Sequence, residues 1–149
     1  MPLREVLAPL AFIVTEGARR RYLLAETLRA QGIVVASDAG HEAVFGLFAA
    51  SLTTPATWVS MVAALHPDVV VVDLDTADAV VTVGALRRHP LTSELPVVVF
   101  GGKDDDLRAA MRLGAVHADE RPSVISGVGD VVIELFELEA GIEFREAVY

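Results

Sequence analysis

From residue 10 onward the chain alternates short apolar runs with longer segments of helical spacing. "LAFIVT" (10–15) reads as a strand, and "GARRRYLLAETLRAQG" after it predicts a helix stopped by Gly32. "IVVAS" (33–37) is a second strand. "TTPATWVSMVAALH" predicts a helix with Thr54 as N-cap and Pro55 at the first helical position. Trp58, Val62 and Leu65 then fall at i, i+4 and i+7, on one face. In "HPDVVVVDLDTAD" (66–78) four consecutive valines run straight into Asp73. An unbroken apolar run suits a strand buried on both faces. A helix over roughly 77–88 follows, closed by His89-Pro90. "PVVVF" (96–100) is a fourth strand, and "DDDLRAAMRLG" a short helix with acids at its positive end and Gly114 as its stop. "AVHA" (115–118) makes a fifth strand. The last helix is expected from near Ser123 to about Ala140, with Val124, Val128, Val131, Val132 and Leu135 on one stripe.

Five β units alternating with five α units imply an α/β fold, a parallel sheet with helices on both faces. Short strands and tight loops point to a flavodoxin-like (βα)5 three-layer sandwich with strand order 2-1-3-4-5 and functional groups at the carboxyl ends of the strands. One domain is expected over 1–149, with its core at 10–140 and a tail at 141–149. "DAGHEAVFGLFAASLT" (38–53) is too long for an ordinary connection between strand two and helix two, and reads as an insertion. Its Val44, Phe45, Leu47 and Phe48 would serve either as packing or as an interaction surface.

Composition narrows the function. A net charge of −9 argues against a nucleic-acid surface, which needs clustered Lys and Arg. The one basic run, Arg19 to Arg21, reads as a solvated turn at the start of a helix rather than a phosphate site. The absence of cysteine excludes disulfides, thiolate metal sites and cysteine nucleophiles. No apolar run approaches membrane-spanning length, and the N-terminus lacks the features of a signal peptide, so a cytoplasmic protein with no membrane partner is expected. The histidines are scattered, "GGKDDD" (101–106) lacks the ending of a phosphate loop, and no dinucleotide fingerprint follows strand one.

Together these segments resemble a response-regulator receiver domain of the CheY-like type. "HPDVVVVDLD" is similar to the third strand ending in the phospho-accepting aspartate, which puts Asp73 at that position. "RRHPLTSELPVVVFGG" resembles the approach to strand four, and "LRAAMRLGAVHADERPS" the helix, Gly-Ala turn, fifth strand and Lys-Pro loop. The resemblance implies a pair of acids after strand one that holds Mg²⁺ with the acceptor. It also implies a hydroxyl after strand four, an aromatic on strand five, and a lysine followed by a cis proline.

This sequence departs from that set. Thr15 and Glu16 stand where the acid pair belongs, Gly101 replaces the hydroxyl residue, Ala118 the aromatic and Arg121 the lysine, before Pro122. Asp73 alone is intact. Its plainer reading is a structural aspartate, hydrogen-bonded to loop amides or to Thr15. Asp75 reads as a solvated loop acid or a cap for the helix at 77. No cofactor is expected, and at most a weak Mg²⁺ site on Glu16 and Asp73, since two carboxylates without a third strong ligand hold that ion poorly. Arg121 would pair with Asp73 or Glu16, or bind phosphate.

The resemblance with its losses implies a pseudo-receiver, a non-enzymatic signalling module that works by protein–protein interaction without phosphorylation. By resemblance, its partner or second copy would contact the helix 4–strand 5–helix 5 face, within 103–140, or the 38–53 insertion. The first alternative is a working receiver phosphorylated on Asp73 by a histidine kinase. The second is a small-ligand binding domain on a flavodoxin-like scaffold, since fold alone does not fix function.

Overall fold

A computed structural model describes residues 9–36, 54–118 and 127–135. The elements are β1 (Leu10–Val14), α1 (Ala18–Ala30), β2 (Val34–Val35), α2 (Pro55–Leu65), β3 (Val69–Asp73), α3 (Ala79–Arg88), β4 (Val97–Phe100), α4 (Asp104–Arg112) and β5 (Val116–His117). Residues 127–135 are helical and are called α5. The five strands are all parallel, in the order β2-β1-β3-β4-β5, which is the flavodoxin-like order.

The valines of β3 explain the sandwich. Side chains alternate across a strand, so successive residues enter different cores. Val70 and Val72 join Phe12, Val14, Val97 and Val99 in a core closed by Trp58, Val59 and Val62 of α2, Val83 and Leu86 of α3, and Ala110 of α4. Val69 and Val71 join Ala11, Ile13, Val98 and Phe100 on the other face, closed by Leu24, Ala25 and Leu28 of α1 and by Val128 and Val132 of α5. Each of these valines, removed from water, stabilises the fold by about 1.5–3 kcal/mol before entropy is counted. Trp58 meets Phe12 edge to face, with ring centroids 6.1 Å apart.

Local chemistry sets the element ends. The Thr54 hydroxyl accepts from the Thr57 N–H, and Pro55 opens α2, whose end is turned by His66 in the left-handed region. Gly32 and Gly114, at φ of +85° and +91°, turn the chain out of α1 and α4, a conformation in which a Cβ is costly. Helix α3 begins at Ala79 and not near 77, because Asp78 before it takes φ of 57° and cannot continue a right-handed turn. Arg87 ties the far end of the domain together. Its guanidinium donates to the carbonyls of Ser93, Leu95, Leu113 and Gly114, binding the end of α3 to the loops before β4 and β5.

Arg121 and Pro122, the whole of the expected insertion (38–53), the tail (141–149) and both expected ends of the last helix lie outside the described residues. Among those described, no helix is long and apolar enough to cross a membrane.

Candidate functional site

Strand register brings the predicted residues to one edge. Asp73 is the last residue of β3 and lies opposite Phe100, the last of β4. Val14 of β1 lies opposite Val72, so Thr15 and Glu16 leave the sheet beside Asp73. Gly101 follows β4, and Ala118 follows β5.

The Asp73 side chain is 5% exposed, so each of its oxygens needs a partner within the protein. Oδ1 accepts from the Asp75 N–H at 2.9 Å. Oδ2 accepts from the Thr15 hydroxyl at 2.9 Å and from Nη1 of Arg20 at 2.8 Å. That same nitrogen donates to Oδ2 of Asp75 at 3.1 Å, so one guanidinium bridges two carboxylates. The pKa of Arg20 is raised by its hydrogen bond to Asp73 first and its bond to Asp75 second, which keeps it charged. Because the Arg20 side chain is 46% exposed, water shares its solvation; the contact to Asp73 contributes about 1–2 kcal/mol, below the range for a buried pair.

Arg20 is the residue that sequence reasoning missed. The run at 19–21 lies in the first turns of α1 with Arg19 and Arg20 exposed, as expected, but it is not merely solvated: Arg20 reaches Asp73 and Arg21 donates to the Thr15 carbonyl. A signal was available. No acid and no side-chain cap occupies the start of α1, and cations are disfavoured at a helix's positive end unless an anion is near.

The other predicted residues take different parts. Glu16 accepts from the Ala77 N–H at 3.0 Å through Oε1, closing the loop after β3. Asp75 does not cap α3; the cap position belongs to Asp78, which makes no side-chain cap bond, and Asp75 pairs with Arg20 instead. Gly101 has φ of +70°, and a Cβ built there would stand 3.0 Å from Oδ2 of Asp75 and 3.3 Å from Oδ1 of Asp73. Gly102 presses on the same loop, its Cβ position only 2.5 Å from that of Leu74. Ala118 is fully buried, in the core that holds Phe100, Val128 and Val132.

Receiver domains typically hold Mg²⁺ in an acidic pocket, and the residues here do not fit that ion. Mg²⁺ demands several free oxygens in near-octahedral array. Both Asp73 oxygens already accept hydrogen bonds, Asp75 faces a guanidinium, one Glu16 oxygen is taken by an amide, and Thr15 brings a donor where an acid belongs. Among the described residues no three His, Asp or Glu side chains are grouped to share a metal.

Comparison with solved structures identifies the fold. The receiver domain (CheY-like) from Methylobacillus flagellatus is similar with a TM-score of 0.64 at 16% identity, over 87% of this chain and 99% of that one. The chemotaxis protein CheY4 of Vibrio cholerae gives a TM-score of 0.63 at 12% identity, over 85% and 98%. The receiver domain of a Francisella response regulator gives 0.65 at 12% identity, over 88% and 98%. No protein-family model and no curated protein matches the sequence. The fold is that of CheY-like response-regulator receiver domains.

Proposed function

We propose that this chain is a receiver-fold signalling module that acts by binding another protein, independently of phosphorylation at Asp73. The observation that carries this reading is the pair Gly101 and Ala118. These are the positions at which the receiver resemblance calls for a hydroxyl that draws in the phosphoryl group and an aromatic that moves with it. Gly101 has no side chain, and Ala118 is sealed in the core. A phosphoryl group on Asp73 would have nothing to draw in and no ring to move. A ligand shifts an equilibrium only by its differential affinity for the two states. The engagement of Asp73 by Thr15, Arg20 and the Asp75 amide adds to this, because a nucleophile so held is already satisfied.

The partner surface lies within 103–140. In its described part, Met111 on α4 is 50% exposed and Val116 on β5 is 37% exposed, and α4 also carries the charged residues Asp104, Asp105, Arg108 and Arg112. A surface of mixed apolar and charged groups suits a protein partner, another chain or a second copy of this one. The 38–53 segment is a second candidate surface. The module carries out no chemistry of its own and works in the cytoplasm.

The test is the intact mass of the protein after incubation with Mg²⁺ and acetyl phosphate, beside Asp73→Asn and a conventional receiver. No added mass, with the conventional receiver phosphorylated in parallel, is the expected result. A phosphoryl adduct that disappears in Asp73→Asn would replace this reading with the working phosphoacceptor.

A further inference from the structure

We infer that Arg20 is the resident cation of this site, its guanidinium standing where the receiver fold implies a divalent metal. A buried carboxylate such as that of Asp73 is costly unless a cation or hydrogen-bond donors compensate it. Both are present. Nη1 of Arg20 lies 2.8 Å from Asp73 and 3.1 Å from Asp75, joining the end of β3 to the loop after it as a bridging ion would. The Thr15 hydroxyl completes the change of chemistry. At a position where an acid would repel Asp73 unless a metal lay between them, Thr15 donates a hydrogen bond at 2.9 Å.

Gly101 belongs to the same arrangement. The Asp75 carboxylate approaches Arg20 through the space beside Gly101, 3.0 Å from where a Cβ would stand. A hydroxyl-bearing side chain there would crowd this carboxylate. Thr15, Arg20 and Gly101 therefore act together: the first supplies a donor, the second a cation, and the third the room for the second carboxylate. The outcome is a carboxyl edge whose buried carboxylate, Asp73, is compensated from within. Arg20 holds this place whether or not the domain signals through a protein partner.

The experiment compares wild type, Arg20→Ala, Arg20→Lys and the double variant Arg20→Ala/Asp73→Asn. Thermal midpoints are measured with and without Mg²⁺ at matched ionic strength, and free Mn²⁺ is counted by electron paramagnetic resonance. Wild type is expected to show no Mg²⁺-dependent rise in midpoint and no stoichiometric Mn²⁺ binding. Arg20→Ala is expected to melt lower, to regain part of that loss with Mg²⁺, and to bind Mn²⁺ at least about tenfold more tightly than wild type. Arg20→Lys should keep part of the wild-type midpoint, and Asp73→Asn in the Arg20→Ala background should abolish the gain in Mn²⁺ binding. Mn²⁺ bound by wild type as tightly as by Arg20→Ala would overturn the assignment, as would an Arg20→Ala midpoint equal to wild type or unmoved by Mg²⁺. If Arg20→Ala does not fold, wild type decides alone: line broadening of the Asp73 and Asp75 amides by equimolar Mn²⁺ overturns the assignment, and their persistence supports it. Continued absence of a phosphoryl adduct would leave the protein-binding reading standing in either case.

Discussion

Gly101 and Asp75 share one space: the Asp75 carboxylate lies 3.0 Å from where a Gly101 side chain would begin. This contact links two loops from different strands. It also makes position 101 a direct test of how the site is closed. Gly101→Ser should destabilise the domain by about 1–3 kcal/mol, from the left-handed backbone and from the crowded carboxylate. Adding Asp75→Ala should recover the crowding part and leave the backbone part. Urea unfolding of the two single variants and the double variant measures both. Additive losses would show that residues 101 and 75 do not compete for space.

Thr15 offers a second test, because it is fully buried and its hydroxyl donates to Asp73. Thr15→Val keeps the shape and removes the donor. It should cost about 1.5–3 kcal/mol, the usual loss for a hydrogen bond to a charged acceptor. In an Asp73→Ala background the same change should cost little. An equal cost in both backgrounds would place the effect in packing and not in the bond.

Arg87 tests the scaffold on which the site rests. Its four carbonyl partners come from the two loops that lead into β4 and β5. Arg87→Ala should lose about 2–4 kcal/mol, and Arg87→Lys should restore little, since one ammonium cannot span the fork of a guanidinium. Hydrogen exchange should quicken around Leu95 and Gly114 while the β1 and β3 amides stay protected.

The fold was legible where periodicity and local rules agreed. Four adjacent valines can only be buried on both faces, and Val69 to Val72 divide between the two cores as that pattern requires. Thr54 and Pro55 mark the start of α2 by a rule that needs no tertiary information. The start of α3 escaped by two residues, because nothing in "DTAD" announces that Asp78 adopts a left-handed backbone. At the site, Asp73, Thr15 and Glu16 could be placed from the end of a strand. Arg20 could not, because its role depends on which side of α1 faces Asp73, a relation set by how the helix packs on the sheet. The surplus of positive charge at that helix start was the legible part, and its pairing partner was not.

Ala118 carries the last prediction. If the receiver scaffold had kept a cavity for a moving aromatic, Ala118→Phe would enter it at little cost. The residue is instead fully buried in the core that holds Phe100 and the α5 valines Val128 and Val132. Protein interiors at native packing density resist added methylenes, and a whole ring forces its neighbours aside. Ala118→Phe should therefore destabilise by about 1–3 kcal/mol, with chemical-shift changes centred on Val128 and Val132. Ala118→Ser, close in volume, should cost less and produce no such pattern. A neutral Ala118→Phe would show that room for a switching ring persists beside β5. The loss of the aromatic would then be a single substitution in a scaffold still able to switch, and the case for phosphorylation-independent action would rest on Gly101 and on the engagement of Asp73 by Thr15, Arg20 and the Asp75 amide.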